Sequence, residues 1–431
     1  MRAMKDSGIA WIGEIPEDWE IARIKQLFSE VNDRCESSEN YTLLSVSEYY
    51  GIAPKSEKIS DDDMLTHAET LDGYKICKEN DLVMNIMLAW KRALGVSKYV
   101  GIVSPAYCVF RKKRNMYVKY FHYLFRTDIY ANLFKQYSTG IIDSRLRLYP
   151  DKFLSLKCQA PPLDIQHRIA DYLDRKCSQI DAIIARQQEV IEKLKAYKLS
   201  VITEAVTKGL NPHAPMKDSG VEWIGEIPAD WEVSKLKFMG HFVNGYAFSS
   251  NSFTTDGVRV MKIANIQPMR ISWIDASYVD TSEYNRLSMY RVEQGDLVFA
   301  LTRPIINGGI KVAIFDGKDK VLLNQRNAMF KGLSRVLSRW MYYVMQNQMY
   351  VQEFALYIDA TGQQPNISTN EISQIKIPIP PIEVQQEIIM KLDAIMASIE
   401  KLISRKEQVI QRLSDYKKSL IYEVVTGKKE V

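Results

Sequence analysis

The sequence predicts an α/β (α+β) protein: two mixed α/β domains separated by a pair of long antiparallel coiled-coil helices, one unit written twice. Three observations predict this. The 25 residues 4–28, MKDSGIAWIGEIPEDWEIARIKQLF, return at 216–240 as MKDSGVEWIGEIPADWEVSKLKFMG with 15 positions identical, and 161–209 returns in pattern at 380–428. A period near half the chain sets the architecture before any propensity is weighed, and it implies a pseudo-twofold molecule. Each half then carries short apolar runs suited to strands. Each half ends in a long uninterrupted helical pattern.

Taken in order, each half opens with W-I-G-E-I-P-x-D-W, residues 11–19 and 223–231. A variable stretch follows, about 29–160 and 241–379. Its runs at 41–46, 81–87, 102–110, 295–301 and 310–315 are short, rich in β-branched and aromatic residues, and bounded by Gly, Asn and Asp, which predicts strands. One aromatic-rich helical segment lies in each stretch, 117–137 and 338–358. Its Tyr120, Phe121 and Phe134, and Tyr342, Tyr343 and Phe354, have the spacing of core residues. The long helices are predicted over about 164–207 and 383–426. Pro161-Pro162 and Pro380-Pro381 precede them, and no Gly or Pro interrupts them.

Within the long helices Ile180, Ile183, Gln187, Val190, Leu194, Tyr197 and Val201 follow 3-4 spacing, and Ile399, Leu402, Lys406, Val409, Leu413, Tyr416 and Leu420 repeat it. Such a seam needs a partner helix, and the other copy is the obvious one. Gln187 and Lys406 place one long polar residue at the same point of each seam, where it either fixes pairing register or reaches water from an edge. The second Trp segment follows the first long helix through Asn211-Pro212-His213. If the C-terminus lies beside the N-terminus, the first Trp segment follows the second helix in the same way, and the organisation is circular. A pseudo-twofold across the helix pair makes the helices antiparallel and puts the variable domains at opposite ends. At ~1.5 Å per residue, about 44 residues span about 66 Å, more than the ~34 Å of one DNA turn. The parts are 1–160, 161–212, 213–379 and 380–431.

Composition narrows the class. Of 431 residues, 46% are apolar and 25% charged, as in ordinary globular proteins. Asp6, Glu14, Glu17 and Asp18 occupy the first thirty residues with no apolar block, so no signal peptide is expected, and no apolar run nears the roughly 18 residues of a membrane span. The five cysteines, Cys35, Cys77, Cys108, Cys158 and Cys177, never form C-x-x-C, which points to free thiols in a reducing cytoplasm. A net charge of +5 permits a polyanionic partner without requiring one. No phosphate loop, G-x-G-x-x-G, H-E-x-x-H or nucleophile elbow occurs, and the five histidines are never closely spaced, so neither catalysis nor a metal site is expected.

The duplicated Trp segments, the P-P-L/I-x-x-Q sequences ending at Gln166 and Gln385, and the L-x-x-Y-K turns at 194–198 and 413–417, in this order, resemble specificity subunits of type I restriction–modification systems. The resemblance spans the whole chain. It departs at Phe28 against Gly240, and at Thr-Lys-Gly 207–209 against Thr-Gly-Lys 426–428. It implies a non-catalytic cytoplasmic subunit whose variable domains each read half of a bipartite double-stranded DNA site. The helices would set the spacing and dock two methyltransferase subunits, with nuclease/translocase subunits joining the full complex. S-adenosylmethionine, ATP and Mg would belong to those partners; no cofactor, metal or membrane is expected for this chain. Two alternatives stay open: a subunit serving a fused nuclease–methyltransferase, and a coiled-coil scaffold without a DNA role.

Overlaying the halves locates the loops that would read DNA. In the first half they hold Lys91, Arg92, Ser144, Arg145 and Arg147. In the second they hold Arg303, Asn307, Gln325, Arg326, Asn327, Gln363, Gln364 and Asn366. Arg and Lys suit phosphates or guanine, and Asn and Gln pair with adenine. A solvated loop is the plainer alternative for each. The densest basic run, Arg111-Lys112-Lys113-Arg114, follows a strand and is expected to be a solvated turn or a phosphate contact. Trp11, Trp19, Trp223 and Trp231 are expected to be buried anchors joining domain to helix.

Overall fold

The computed structural model describes residues 3–39, 41–57 and 71–431. The chain forms two compact units, Met1–Gln187 with Glu407–Val431, and Gln188–Lys406. Both long helices, Leu163–Lys208 and Ile382–Val425, therefore contribute one half to each unit.

In each unit the Trp segment is a small hairpin. Met4–Asp6 pairs antiparallel with Glu14–Pro16, and Met216–Asp218 with Glu226–Pro228. The recurring Asp-Ser-Gly makes its turn: Asp6 and Asp218 Oδ1 each accept from the glycine amide two residues on at 2.9 Å, and Gly8 and Gly220 sit at φ +69° and +65°. Next, Glu20–Arg23 pairs with Lys157–Ala160, and Glu232–Lys235 with Lys376–Ile379. Each second partner leads straight into a long helix.

The variable stretch folds around two main sheets. In the first unit the antiparallel order is Phe28–Val31, Tyr107–Lys112, Leu82–Asn85, Leu94–Val96. In the second it is His241–Asn244, Asn327–Lys331, Leu297–Ala300, Val312–Ile314. The other sheet is built around a parallel pair, Thr42–Ser47 with Gly101–Val103 and Val258–Met261 with Val321–Leu323. The single run expected at 102–110 is thus two strands in different sheets, because Ser104-Pro105-Ala106 breaks it. The aromatic helical segment likewise splits, into Val118–Phe125 and Asp128–Tyr137, and into Ser338–Val344 and Gln348–Leu356.

Both cores centre on aromatics. Trp19, Phe28, Phe110, Phe121, Phe125, Phe134 and Phe153 are buried with Leu420, Val424 and Val425 of the second long helix. Trp231, Trp340, Tyr343, Tyr350 and Phe354 are buried with Ile202, Ala205 and Val206 of the first. Trp19, Trp223 and Trp231 are buried and Trp11 is half-buried, so they are anchors, as expected. Gly209 and Gly427, at φ +73° and +75°, end the helices beneath them, where a Cβ would come within 3.2 Å of Trp231 and 3.1 Å of Trp19. The Thr-Lys-Gly to Thr-Gly-Lys departure is therefore harmless: the second helix ends sooner and its glycine still sits under its tryptophan.

The repeated glutamines tether each helix start. Gln166 donates to Pro161 O at 2.7 Å and accepts from Tyr117 N at 2.8 Å. Gln385 donates to Pro380 O and Arg335 O at 2.8 Å and accepts from Leu337 N at 2.9 Å. In the first unit Lys417 meets Asp181 at 2.7 Å, and further toward the helix start Arg168 meets Val431, so the two helices run antiparallel there. Lys198 pairs with Glu400 at 2.9 Å in the second unit, the same contact one repeat away.

The seam is partly corrected. Ile180, Gln187, Leu194 and Val201, and Ile399, Lys406, Leu413 and Leu420, are buried or half-buried as expected. The alternate positions are displaced by one residue. Ile183 and Tyr197, and Leu402, Val409 and Tyr416, are exposed, while Ile184, Ile191 and Lys198, and Ile403, Ile410 and Lys417, turn inward. Val190 is half-buried beside the buried Ile191. At 183–184, 190–191, 402–403 and 409–410 both neighbours are apolar, so a heptad template fits either and packing decides; at 197–198 and 416–417 the lysine turns inward to its ion pair with Glu400 or Asp181.

Candidate nucleic-acid interface

Strand register gathers the candidate loops. In the second unit Ala300 opposes Asn327, so the loop leaving Leu297–Ala300 and the loop entering Asn327–Lys331 meet at one end of the sheet. A third loop, 357–368, closes on them. Leu301 N donates to Arg326 O at 2.8 Å, Arg303 N to Pro365 O at 2.8 Å, and Ile367 N to Leu301 O at 2.9 Å. The result is an open cleft of about 450 Å³ whose walls include Thr302, Arg326, Gln363, Gln364 and Asn366.

Within that cluster Arg303, Gln325, Arg326 and Gln363 are exposed and Gln364 is half-buried. Arg303 and Arg326 hold φ of +47° and +63°, a conformation that L side chains seldom adopt. Asn366 is exposed but partly committed: its Oδ1 accepts from Thr302 Oγ1 at 2.7 Å, and its amide donates to Gln364 O at 2.8 Å. Asn307 and Gly308, at φ +50° and +74°, form the two-residue turn between Ile305–Ile306 and Gly309–Ile310, so turn geometry alone accounts for Asn-Gly there. Asn327 is a correction. It is buried, and its amide donates to Met261 O at 3.0 Å and Asn324 O at 3.2 Å, so it shapes the loop from beneath and presents nothing to a ligand.

The first unit repeats the arrangement with other chemistry. Asn85 opposes Tyr107, and the loop 86–93 meets the loop 138–149, where Leu148 N donates to Ile86 O at 2.9 Å. Thr139 and Arg147 exchange backbone bonds of 2.9 and 3.0 Å, closing the loop between them. Lys91, Arg145 and Arg147 are exposed; the side chain of Ser144 lies outside the described residues. Arg92 is half-buried, left-handed at φ +67°, and ion-paired with the exposed Asp128. Of the run 111–114, expected to follow a strand, Arg111 and Lys112 end the strand itself; Arg111 meets Asp81 at 2.8 Å and Asp33 at 3.2 Å, Lys113 donates to Lys25 O at 3.3 Å, Arg114 meets Glu20, and Lys112 is exposed.

Of the residues that follow, only Lys91 and Arg92 are among the sequence candidates. The ammonium groups of Lys91 and Lys135 lie 5.2 and 4.8 Å from the Trp90 ring centroid, a cationic rim that only the fold brings together. Ile141 and Ile142 stand at the tip of the closed loop. Arg126 donates to the carbonyls of Ser47, Glu48, Tyr49, Arg92 and Leu94 at 2.6–3.4 Å, fastening one side of the 86–93 loop. Burial, with Arg92 nearby, lowers its pKa to about 10, which leaves it charged at neutral pH.

Little here suggests chemistry. All five cysteines are free and buried, and burial pushes the thiols of Cys77 and Cys108 up to about 12, far from a reactive thiolate. Among the described residues no group of three His, Cys, Asp or Glu is placed to hold a metal, and no helix is long and apolar enough to cross a membrane.

A family model described as the type I restriction modification DNA specificity domain matches residues 16–193 and 228–412. The chain belongs to this family. Each match runs from the Trp segment through one variable stretch into one long helix, so the family's domain is the repeating unit itself. Among curated proteins, the chain is 29% identical to the type I restriction enzyme MjaVIII specificity subunit of Methanocaldococcus jannaschii, over 96% of this chain and 93% of that one. It is 30% identical over 215 residues to the EcoAI specificity subunit of Escherichia coli, covering 50% of this chain and 36% of that one. Among solved structures, a chain from work on complex assembly and conformational transition of the type I restriction–modification system matches with a TM-score of 0.71 at 13% identity, over 96% of this chain and 99% of that one. The HsdS subunit from Thermoanaerobacter tengcongensis matches with a TM-score of 0.52 at 14% identity, over 96% and 98%. The fold is thus that of specificity subunits, with a target-recognition domain in each unit.

Proposed function

We propose that each unit reads one half of a bipartite duplex DNA site, with 1–160 and 213–379 as readers and the helices of 161–212 and 380–431 setting the half-site spacing. One observation carries this. The same three loops meet at the same end of the same sheet in both units, yet one set presents Arg303, Gln325, Arg326, Gln363 and Gln364 and the other Lys91, Arg145, Arg147, Ile141 and Ile142. A shared frame with different exposed side chains is what two readers of unlike half-sites need. Partner docking is supported by the helices: Ile183 and Leu402, and Tyr197 and Tyr416, are exposed apolar residues one repeat apart, offering two equivalent surfaces to two methyltransferase copies. Methylation, ATP-driven translocation and cleavage, with S-adenosylmethionine, ATP and Mg, are assigned to those partners and to nuclease subunits, in the cytoplasm. The absence of catalytic motifs in this chain supports that division.

The test uses the chain assembled with its methyltransferase. Arg326→Ala with Gln363→Ala and Gln364→Ala should relax one half-site about tenfold or more and spare the other. Asn327→Ala should instead lower the stability of the second unit. Equal loss at both halves, or binding that ignores salt as a pure scaffold would, refutes the proposal.

A further inference from the structure

Ile141 is 99% exposed, more than any other large apolar side chain among the described residues, and Ile142 beside it is 51% exposed. They do not sit on a floppy tail. The Thr139–Arg147 bonds close the loop, residues Asp143–Arg145 form a 3-10 turn, and Lys135 meets Asp143 at 2.8 Å. Lys135 and Asp143 offset each other beside the tip, and the exposed Lys91, Arg145 and Arg147 on the same pair of loops leave its surround net basic. A bare apolar tip among cations matches a groove of DNA, where phosphates flank the edges of bases.

The repeat narrows the contact. Aligning Thr139-Gly140 with Thr361-Gly362 puts Ile141 and Ile142 where the second unit has Gln363 and Gln364, and those glutamines belong to the cleft with Arg326. An amide can exchange hydrogen bonds with a base edge. Isoleucine has no donor or acceptor, and the one apolar feature on a major-groove edge is the C5-methyl group of thymine. We propose that Ile141 packs on a thymine methyl in the half-site read by the first unit, so that this unit recognises one base by apolar contact where the second uses an amide. The inference rests on the half-site reading above.

The experiment is a protein-by-DNA double-mutant cycle on the complex of this chain with its methyltransferase subunits. Probes are duplexes bearing the complex's own methylated target, with each thymine of either half replaced singly by uracil, which removes only the methyl. The wild-type complex should bind about three- to fivefold more weakly to one uracil probe, in the half assigned to the first unit. Ile141→Ala should bind the thymine probe as weakly as the wild type binds that uracil probe, and show no further loss on uracil. Ile141 is fully exposed, so the variant should fold; its response to uracil in the other half should match the wild type. A half-site without thymine, a wild-type complex indifferent to uracil, or an undiminished uracil effect in Ile141→Ala each overturns the proposal. So does 2-aminopurine brightening that needs Ile141 without any uracil effect, since that would mean a wedge between base pairs. A wild-type complex that fails to tell its target from scrambled DNA would defeat the recognition reading itself, and this inference with it.

Discussion

His122 shows how a single side chain in the first unit links loop architecture to pH. Its Nδ1 accepts from Val96 N at 3.3 Å, and it packs beside the Arg126 clamp. An accepting nitrogen must be unprotonated, and the surroundings enforce this: burial, then Arg126, Lys119 and Lys98, lower its pKa to about 3, with only Asp174 opposing. Between about pH 6.5 and 3 the unfolded chain binds a proton here that the folded chain refuses. Stability therefore rises with pH across that window and falls on acidification. Denaturation midpoints measured from pH 7 to 5 should show a slope about one proton steeper for the wild type than for His122→Asn, which keeps an acceptor without titrating. Equal slopes would show that His122 titrates in the fold as it does in the unfolded chain. Of this nothing was visible in the sequence, where His122 is one aromatic among many. Asn327 was illegible for the opposite reason. Its amide suits a base edge and it borders an exposed loop, yet whether that amide faces solvent or a backbone carbonyl is settled by a neighbour far along the chain, Met261.

At the scale of elements, the long helices divide their apolar residues between two tasks. Ile184 packs on the first unit's core while the adjacent Ile183 is exposed, and Ile403 and Leu402 repeat the contrast in the second unit. A charge at the inward position must be buried, and one at the outward position need not be. Ile184→Asp is expected to lower folding stability by about 2 kcal/mol or more, and Ile183→Asp by less than about 0.5 kcal/mol. Titration of methyltransferase should reveal the reverse order, with Ile183→Asp weakening assembly at native stability. Equal destabilisation would mean that both residues face inward. The helices themselves were legible because no Gly or Pro interrupts either pattern, and half of the seam was legible because Ile180, Leu194, Ile399 and Leu413 have no competing apolar neighbour one residue further along. Strands fared similarly. Runs bounded by turn residues were found, but 102–110 holds two strands of two sheets, since a break of three residues is too short to register against a continuous apolar trend.

The whole molecule was the most legible level, because a repeat constrains topology without requiring any contact to be known. Its circular logic depends on one joint made twice. Gly209 ends the first helix beneath Trp231, and Gly427 ends the second beneath Trp19. The first joint is covalently continuous, through Leu210-Asn211-Pro212-His213 into the second hairpin. The other is made by packing: Tyr120 Oη donates to Val425 O at 2.8 Å, and Val431 lies against Arg168. Ala3 is meanwhile held at the first hairpin by Glu17 N at 3.1 Å. If the joints are equivalent, exchanging which one is covalent should change little. A permutant that links residue 431 to residue 3 through a few glycines and opens between Pro212 and His213 breaks no strand pair and no helix. It should keep the target sequence and half-site spacing of the parent, with stability within about 1–2 kcal/mol, since only loop-closure entropy moves from one connection to the other. Methylation footprinting of permutant and parent complexes on a shared DNA library reads both properties at once. A changed spacer would mean that the continuous joint has a geometry the packed joint lacks, and the two halves would then be similar in sequence without being interchangeable in structure.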